Sequence, residues 1–245
     1  MEGRIILIAN AIRRKGDWGN IYQDIVNKVY PTDEEIEQAK SVQCVTMLDE
    51  DYPNYLKQIK KPPFVLFYKG NKALLNDTDM LAVVGSRSPK ETTLNFTEKF
   101  VSSRHETIIN GLSMGVATKA LKTALKNGNN VVAVLGCGID YCYPAENQAL
   151  YDEIAQKGLL ISEYPFDTLP EQHNMVFRNR IISGLCKAVC VMDLAQRSGT
   201  LTLVNFALEN GKDVYVTPDI YATDSPANSL IEEGATCLTL STKII

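Results

Sequence analysis

The sequence predicts an α/β protein: an extended Rossmann-like sheet, parallel or mixed, with helices on both faces and a small N-terminal helical appendage. Three observations predict it. Short, continuous apolar runs recur along the chain. Each stops at glycine, serine or another small polar residue. Segments of helical period separate them. Strands buried on both faces read as unbroken apolar runs, and their alternation with helices implies βαβ units.

Residues 1–43 are read as a short helical segment and residues 44–245 as the Rossmann-like domain. Asp33-Glu34-Glu35-Ile36-Glu37 reads as a first helical turn, because acids there meet the positive end of the helix dipole. Two β-like runs follow, around Val45 and at Val65-Leu66-Phe67-Tyr68, punctuated by Pro53, Pro62 and Pro63. The regular alternation then begins. Leu81-Ala82-Val83-Val84 ends at Gly85, and a helix is expected over 92–101. Thr107-Ile108-Ile109 is broken by Gly111, and Ala117, Ala120, Leu121, Ala124 and Leu125 share one helical face. The run 131–135 ends at Gly136, Leu159-Leu160-Ile161 at Ser162-Glu163, 188–192 near Asp193, and Val214-Tyr215-Val216 at Thr217-Pro218. Helical segments lie around Ile181 and over 201–208.

Bulk properties narrow the function classes. The chain has 245 residues, 45% hydrophobic and 22% charged, an ordinary globular balance. Its net charge of −4 excludes a uniformly basic polyanion binder. A nucleic-acid site must then be a local basic patch on an acidic body. The apolar stretch from Ile5 to Ala9 is too short for a secretory signal and is followed by Arg13, Arg14 and Lys15. No apolar run approaches the roughly 18 residues of a membrane span, so a cytoplasmic protein is expected. The six cysteines form no C-x-x-C pair and read as reduced core thiols; no metal and no cofactor is expected.

In open α/β sheets ligands bind outside the carboxyl ends of the strands. Four loops fall there: Gly85-Ser86-Arg87-Ser88, Asn110-Gly111-Leu112-Ser113-Met114-Gly115, Gly136-Cys137-Gly138-Ile139-Asp140 and Arg197-Ser198-Gly199-Thr200, the last opening a helix. Glycines allow close backbone approach, and free amides at a helix start face an anion. A turn after a buried strand also needs glycine, so it is the set of four that points to a phosphate-bearing ligand. Arg87 sits on a strand-end loop, and Arg178 and Arg180 flank Asn179 at a helix start. A cation there opposes the helix dipole, whereas a guanidinium suits bidentate phosphate recognition. A solvated helix face is the plainer alternative for this pair. Tyr164 and Phe177 are candidate stacking residues, or core aromatics. No nucleophile elbow and no P-loop is present, and His105 and His173 stand outside any motif.

Taken in order, these segments resemble the DNA-processing A (DprA/Smf) family. The resemblance is carried by Pro63-Phe64-Val65-Leu66-Phe67-Tyr68-Lys69-Gly70-Asn71, Val83-Val84-Gly85-Ser86-Arg87, Asn110-Gly111-Leu112 with Gly115, and Val134-Leu135-Gly136-Cys137-Gly138-Ile139-Asp140. It continues through Tyr143-Pro144 with Asn147, Gly158-Leu159-Leu160-Ile161-Ser162-Glu163-Tyr164-Pro165 and Arg178-Asn179-Arg180-Ile181-Ile182-Ser183-Gly184-Leu185. Ser198-Gly199-Thr200-Leu201 and Asn228, Leu230, Ile231 and Gly234-Ala235 complete it. The resemblance implies single-stranded DNA binding, loading of the RecA recombinase, natural transformation and a homodimer. The strand-end loops and the helix-start arginines give the candidate phosphate-binding set Gly85, Ser86, Arg87, Gly111, Gly115, Gly136, Gly138, Arg178, Asn179, Arg180, Ser198, Gly199 and Thr200, and no catalytic residue is expected because no nucleophile–base pairing is evident.

Departures from the pattern are local. Met114 stands where the family is usually basic, Ala117 where it has aspartate, and Leu121 at the aligned histidine; Ala145 follows the Tyr-Pro pair. Lys119 and Lys122 are the candidates to replace the missing cation. The alternatives are a nucleotide-sensing module and a nucleotide N-glycosidase of the lysine-decarboxylase-like group, whose P-G-G-x-G-T-x-x-E motif would align at Gly199-Thr200. Leu203 then occupies the glutamate position, and acid–base chemistry needs a titratable group there.

Overall fold

The computed structural model describes residues 3–195, 198–220, 222 and 224–244. The strands are β1 (Cys44–Thr46), β2 (Val65–Gly70), β3 (Met80–Val84), β4 (Thr107–Asn110), β5 (Val131–Leu135), β6 (Leu159–Ser162), β7 (Ala188–Val191), β8 (Asp213–Val216) and β9 (Thr236–Cys237). They form one sheet in the order β1-β2-β6-β5-β4-β3-β7-β8-β9. From β6 to β9 all neighbours are parallel, whereas β2 runs antiparallel to β6 and β1 antiparallel to β2. The sheet is therefore mixed, and the proline-punctuated runs near residues 45 and 65 form its antiparallel edge.

Register decides the two faces. Leu81, Val83, Ile108, Val131, Ala133 and Cys190 enter one core cluster, and Met80, Ala82, Val84, Ile109, Val132 and Val191 enter the other. Adjacent residues of one strand thus serve opposite cores, which is why the sequence shows continuous rather than alternating apolar runs. Each fully buried Val, Leu or Ile contributes about 1.5–3 kcal/mol. The first face is covered by α5 (Glu91–Ser102), α6 (Val116–Lys126) and α7 (Gln148–Lys157). On the second lie α4 (Asn54–Gln58), α9 (Asn179–Leu185), α10 (Gly199–Glu209) and α11 (Pro226–Glu232).

The N-terminal helices α1 (Gly3–Arg13), α2 (Trp18–Val26) and α3 (Asp33–Lys40) build on the first face. Leu7, Ile8 and Ala11 of α1 enter the same cluster as Val65 and Phe67 of the sheet. A capping box starts α3: Thr32 accepts from the Glu35 amide, and Glu35 accepts from the Thr32 amide. Such a cap is worth about 1 kcal/mol. The short helix α8 (Gln172–Phe177) precedes α9 and has no counterpart in the sequence reading. Among the described residues no helix is long and apolar enough to cross a membrane. The six cysteines are free, and no group of three His, Cys, Asp or Glu among the described residues is arranged to hold a metal.

Candidate functional site

After β3 the chain proceeds to β4, β5 and β6 on one side of β3, then returns to β7 on the other. This reversal opens a crevice at the carboxyl ends of β3, β4 and β7. A cleft of about 570 Å³ lies there. Its walls include Gly85, Ser86 and Arg87 after β3, Asn110, Gly111 and Ser113 after β4, Ser198, Gly199 and Thr200 at the start of α10, and Arg178 and Asn179 at the start of α9. Nine of the thirteen sequence-predicted site residues meet here with Asn179 counted among them.

The β3 loop is held from below. Ser86 N donates to Asp193 Oδ1 at 2.5 Å, and Val116 N donates to Ser86 O at 3.1 Å. Burial raises the Asp193 carboxyl above its ordinary value, and the Ser86 amide partly offsets this. Thr200 Oγ1 donates to Gly85 O at 3.2 Å, joining the loop to α10. The result leaves Arg87 exposed, and among the described residues its guanidinium has no hydrogen-bond or ion-pair partner. Gly115 does not line the cleft. It has φ of +76° and lies against the Ser86 and Arg87 backbone, where a Cβ would collide, so it sets the position of that loop.

Arg178 forms the floor. It is buried and donates through Nη1 to Gly111 O at 2.5 Å and to Val134 O. Burial brings its guanidinium down to about 10, and Arg87 nearby adds repulsion. Among the described residues its Nε has no partner. Arg87 and Arg178 line the same cleft, and an anion held there would offset the repulsion between the two cations. Gly111 is required because a Cβ would overlap the Arg178 guanidinium. The start of α10 adds the partial positive charge of a helix N-terminus, and the buried Ser198 hydroxyl lacks a partner among the described residues.

Three expectations are corrected, for Arg180, for the glycines after β5 and for Lys119. Arg180 is not on the rim: it is 1% exposed and pairs bidentately with buried Glu163, at 2.6 and 2.5 Å. Gly136 packs against Met175 of α8, and Gly138 against the Pro165 and Phe166 backbone that follows β6, so neither is open to a ligand. Of its two readings, stacking residue or core aromatic, Tyr164 takes the second: it is 2% exposed. Lys119 is tied to Glu98 at 2.5 Å and offers no free replacement cation, whereas Lys122 is exposed. Arg197 lies outside the described residues. Of the departures from the family pattern, Ala117 lines the cleft, Met114 is exposed, and Leu121 points into the core.

Sequence reasoning missed the outer wall. Pro170, Glu171, Gln172, Met175 and Val176, from α8 and the segment before it, close one side of the cleft, and Tyr143 stands at its mouth. Glu171 brings one carboxylate to this rim. Tyr143 was visible in the Tyr-Pro motif, whereas α8 has six residues, too few for a period to register.

A model of the DNA recombination-mediator protein A family matches residues 43–245. The chain is 36% identical over 207 residues to protein Smf of Synechocystis, covering 81% of this chain and 52% of that one. It is 38% identical over 198 residues to DNA processing protein DprA of Streptococcus pneumoniae, covering 79% and 70%. The chain thus spans about half the length of the Synechocystis relative. The crystal structure of the pneumococcal protein superposes with a TM-score of 0.80 at 31% identity, covering 97% of this chain and 91% of that one. A Helicobacter pylori DprA structure, described for its unique single-stranded DNA binding mode, superposes with a TM-score of 0.71 at 27% identity, covering 80% and 90%. The shared sheet, the strand-end loops and this identity over four fifths of the chain agree with the family match, and the chain belongs to the DNA recombination-mediator protein A (DprA/Smf) family.

Proposed function

We propose that this chain binds single-stranded DNA in the cleft and hands it to the RecA recombinase during natural transformation and recombination, acting as a cytoplasmic homodimer that leaves the strand chemically unchanged. The observation that carries the reading is the presence of Arg87 and Arg178 in one cleft at the strand-order reversal, the first exposed and the second buried, with no partner for the Arg87 guanidinium or the Arg178 Nε among the described residues. The H. pylori relative's described mode of binding supports the choice of a single strand. Leu203, buried in the cleft wall, supports a binder over an N-glycosidase, because it fills the position that a catalytic glutamate would need.

The test uses a labelled oligonucleotide, then RecA. Affinity should fall with salt at a log–log slope of about −0.7 per phosphate contacted, and Arg87→Ala should weaken binding and flatten that slope by about 0.7. Arg87 is the informative position because it is exposed and its loss leaves the core intact. On a strand coated with single-strand-binding protein, the wild-type chain should shorten the lag before RecA hydrolyses ATP, and the variant should do so less. An Arg87→Ala protein with unchanged affinity and slope would overturn the cleft assignment. A lag that is unchanged at saturating protein would overturn the loading role.

A further inference from the structure

Buried Arg180 organises a surface on the far side of α8. Its Nε donates to Lys61 O at 2.9 Å, and its guanidinium lies 3.7 Å from the centre of the Phe177 ring. Lys61 has a φ of +55°, a left-handed backbone that lysine seldom adopts, and Arg180 fixes it there. The Lys61 ammonium consequently lies 5.5 Å from the Trp18 ring centre and 5.9 Å from that of Phe177. Trp18 is locked in turn. Its Nε1 donates to Pro62 O at 2.8 Å, and its ring stacks with Tyr22 at 5.3 Å and with Phe64 at 5.2 Å. Tyr22 ends this row with 46% of its surface exposed.

The strip is cationic as well as aromatic. Lys60 and Lys61 are both exposed. Lys61 has no carboxylate partner among the described residues, and the Lys60 contact with Glu209 is loose at 3.7 Å. Of the acids nearby in the chain, Asp17 caps α2 by accepting from Asn20 N at 2.7 Å, and exposed Asp167 makes only a loose contact of 3.8 Å with Lys15. A pair of solvated lysines needs no left-handed backbone and no buried guanidinium to hold it. Lysines set among ordered rings match a chain of phosphates and unstacked bases. Phe177 lies next in the chain to Met175 and Val176, which line the cleft, so one short helix carries residues of both.

We propose that Tyr22, Trp18, Lys60, Lys61 and Phe177 form a second contact for single-stranded nucleic acid, carrying a strand from the cleft across α8 onto the N-terminal helices. The proposal rests on the reading of the cleft as a single-strand site. Trp18 and Tyr22 precede residue 43, where the family match begins, so the strip is not a feature of the matched region alone.

The chain has one tryptophan, so the emission of Trp18 reports on the strip directly. Oligothymidylates of about 4 and about 16 nucleotides bracket one site and an extended path. Binding is followed in parallel by anisotropy of an end label. The long oligonucleotide should quench Trp18, and the short one should bind without doing so. A Lys60→Ala/Lys61→Ala protein should keep its melting temperature and circular dichroism, and its salt slope for the long strand should flatten by about 1.4, two contacts at about 0.7 each. Tyr22→Ala should weaken the long strand about tenfold and leave the short one unchanged. Binding of the long strand with unchanged Trp18 emission and an unchanged slope in the lysine variant overturns the strip and leaves the cleft standing. Failure of both strands to bind overturns both. Quenching by RecA alone, with none by either oligonucleotide, assigns the strip to a protein partner and overturns the proposal.

Discussion

Arg178 and Arg180 stand two positions apart and meet opposite surroundings. Arg178 faces backbone carbonyls and the cleft, while Arg180 faces Glu163 in the interior. Removing one member of a buried ion pair leaves the other charge uncompensated, at a cost of about 3–5 kcal/mol. Glu163→Gln should therefore lower the urea midpoint strongly. Replacing both, as Glu163→Leu with Arg180→Met, should recover most of the loss because no charge is stranded. A Glu163→Gln protein as stable as the wild type would show that the pair is not closed in solution. The two arginines also mark what sequence can reveal. Arg87 could be placed because it stands three residues after the apolar run that ends at Val84, and the end of a parallel strand fixes where the next residues go. Arg180 could not, because its partner is 17 residues away and reaches it only through the packing of β6 against α9. The Lys61 and Trp18 contacts were equally hidden, since they join segments 43 positions apart.

Among the elements, α1, α2 and α3 are joined by one acid. Asp24 is 3% exposed and receives Arg14 at 2.8 Å and Arg13 at 3.0 Å, while Arg13 reaches on to Glu35 at 3.0 Å. The hydrogen bond from Arg14 is the main reason that the Asp24 carboxyl falls to about 2, with burial opposing it and Arg13 assisting. A carboxyl depressed on folding stabilises the fold above its ordinary pKa, and that stabilisation is lost as pH falls through the folded value. Asp24→Asn should be less stable than wild type at pH 7, and the gap should close between about pH 4 and pH 2. Thermal melts at both ends of that window measure it; a gap of constant size would remove Asp24 as the clamp. The elements were legible to different degrees for a related reason. The acids at residues 33–35 announce α3, because dipole and cap act within one turn. The wall helix α8 is set by what it covers, Gly136 and the β5 loop, and a six-residue segment carries no such information by itself.

For the whole molecule the balance is between a body of net charge −4 and a cleft lined by two arginines, Arg87 and Arg178. Long-range attraction to a polyanion is weak in such a protein, so recognition depends on what enters the cleft. A volume of about 570 Å³, walled by α8 and the start of α10, admits a flexible strand one or two nucleotides at a time. A duplex is stiff, and its paired bases are turned inward. Reading it needs an element that projects into a groove, and the cleft arginines lie at the floor and inner edge of a concave site. A single strand would also offer unstacked base faces to Tyr143 of the cleft, whereas a duplex keeps its base faces stacked inside. Unlabelled single strand should therefore displace a bound labelled oligonucleotide at a concentration at least about tenfold lower than a duplex of equal length, the value of roughly one stacked base. The preference should persist when salt is raised. Stacking and the exclusion of paired bases are not screened, whereas a simple count of phosphates would favour the duplex at low salt and fade as ions are added. Equal displacement by the two forms would mean that the outer surface, and not the cleft, holds the nucleic acid.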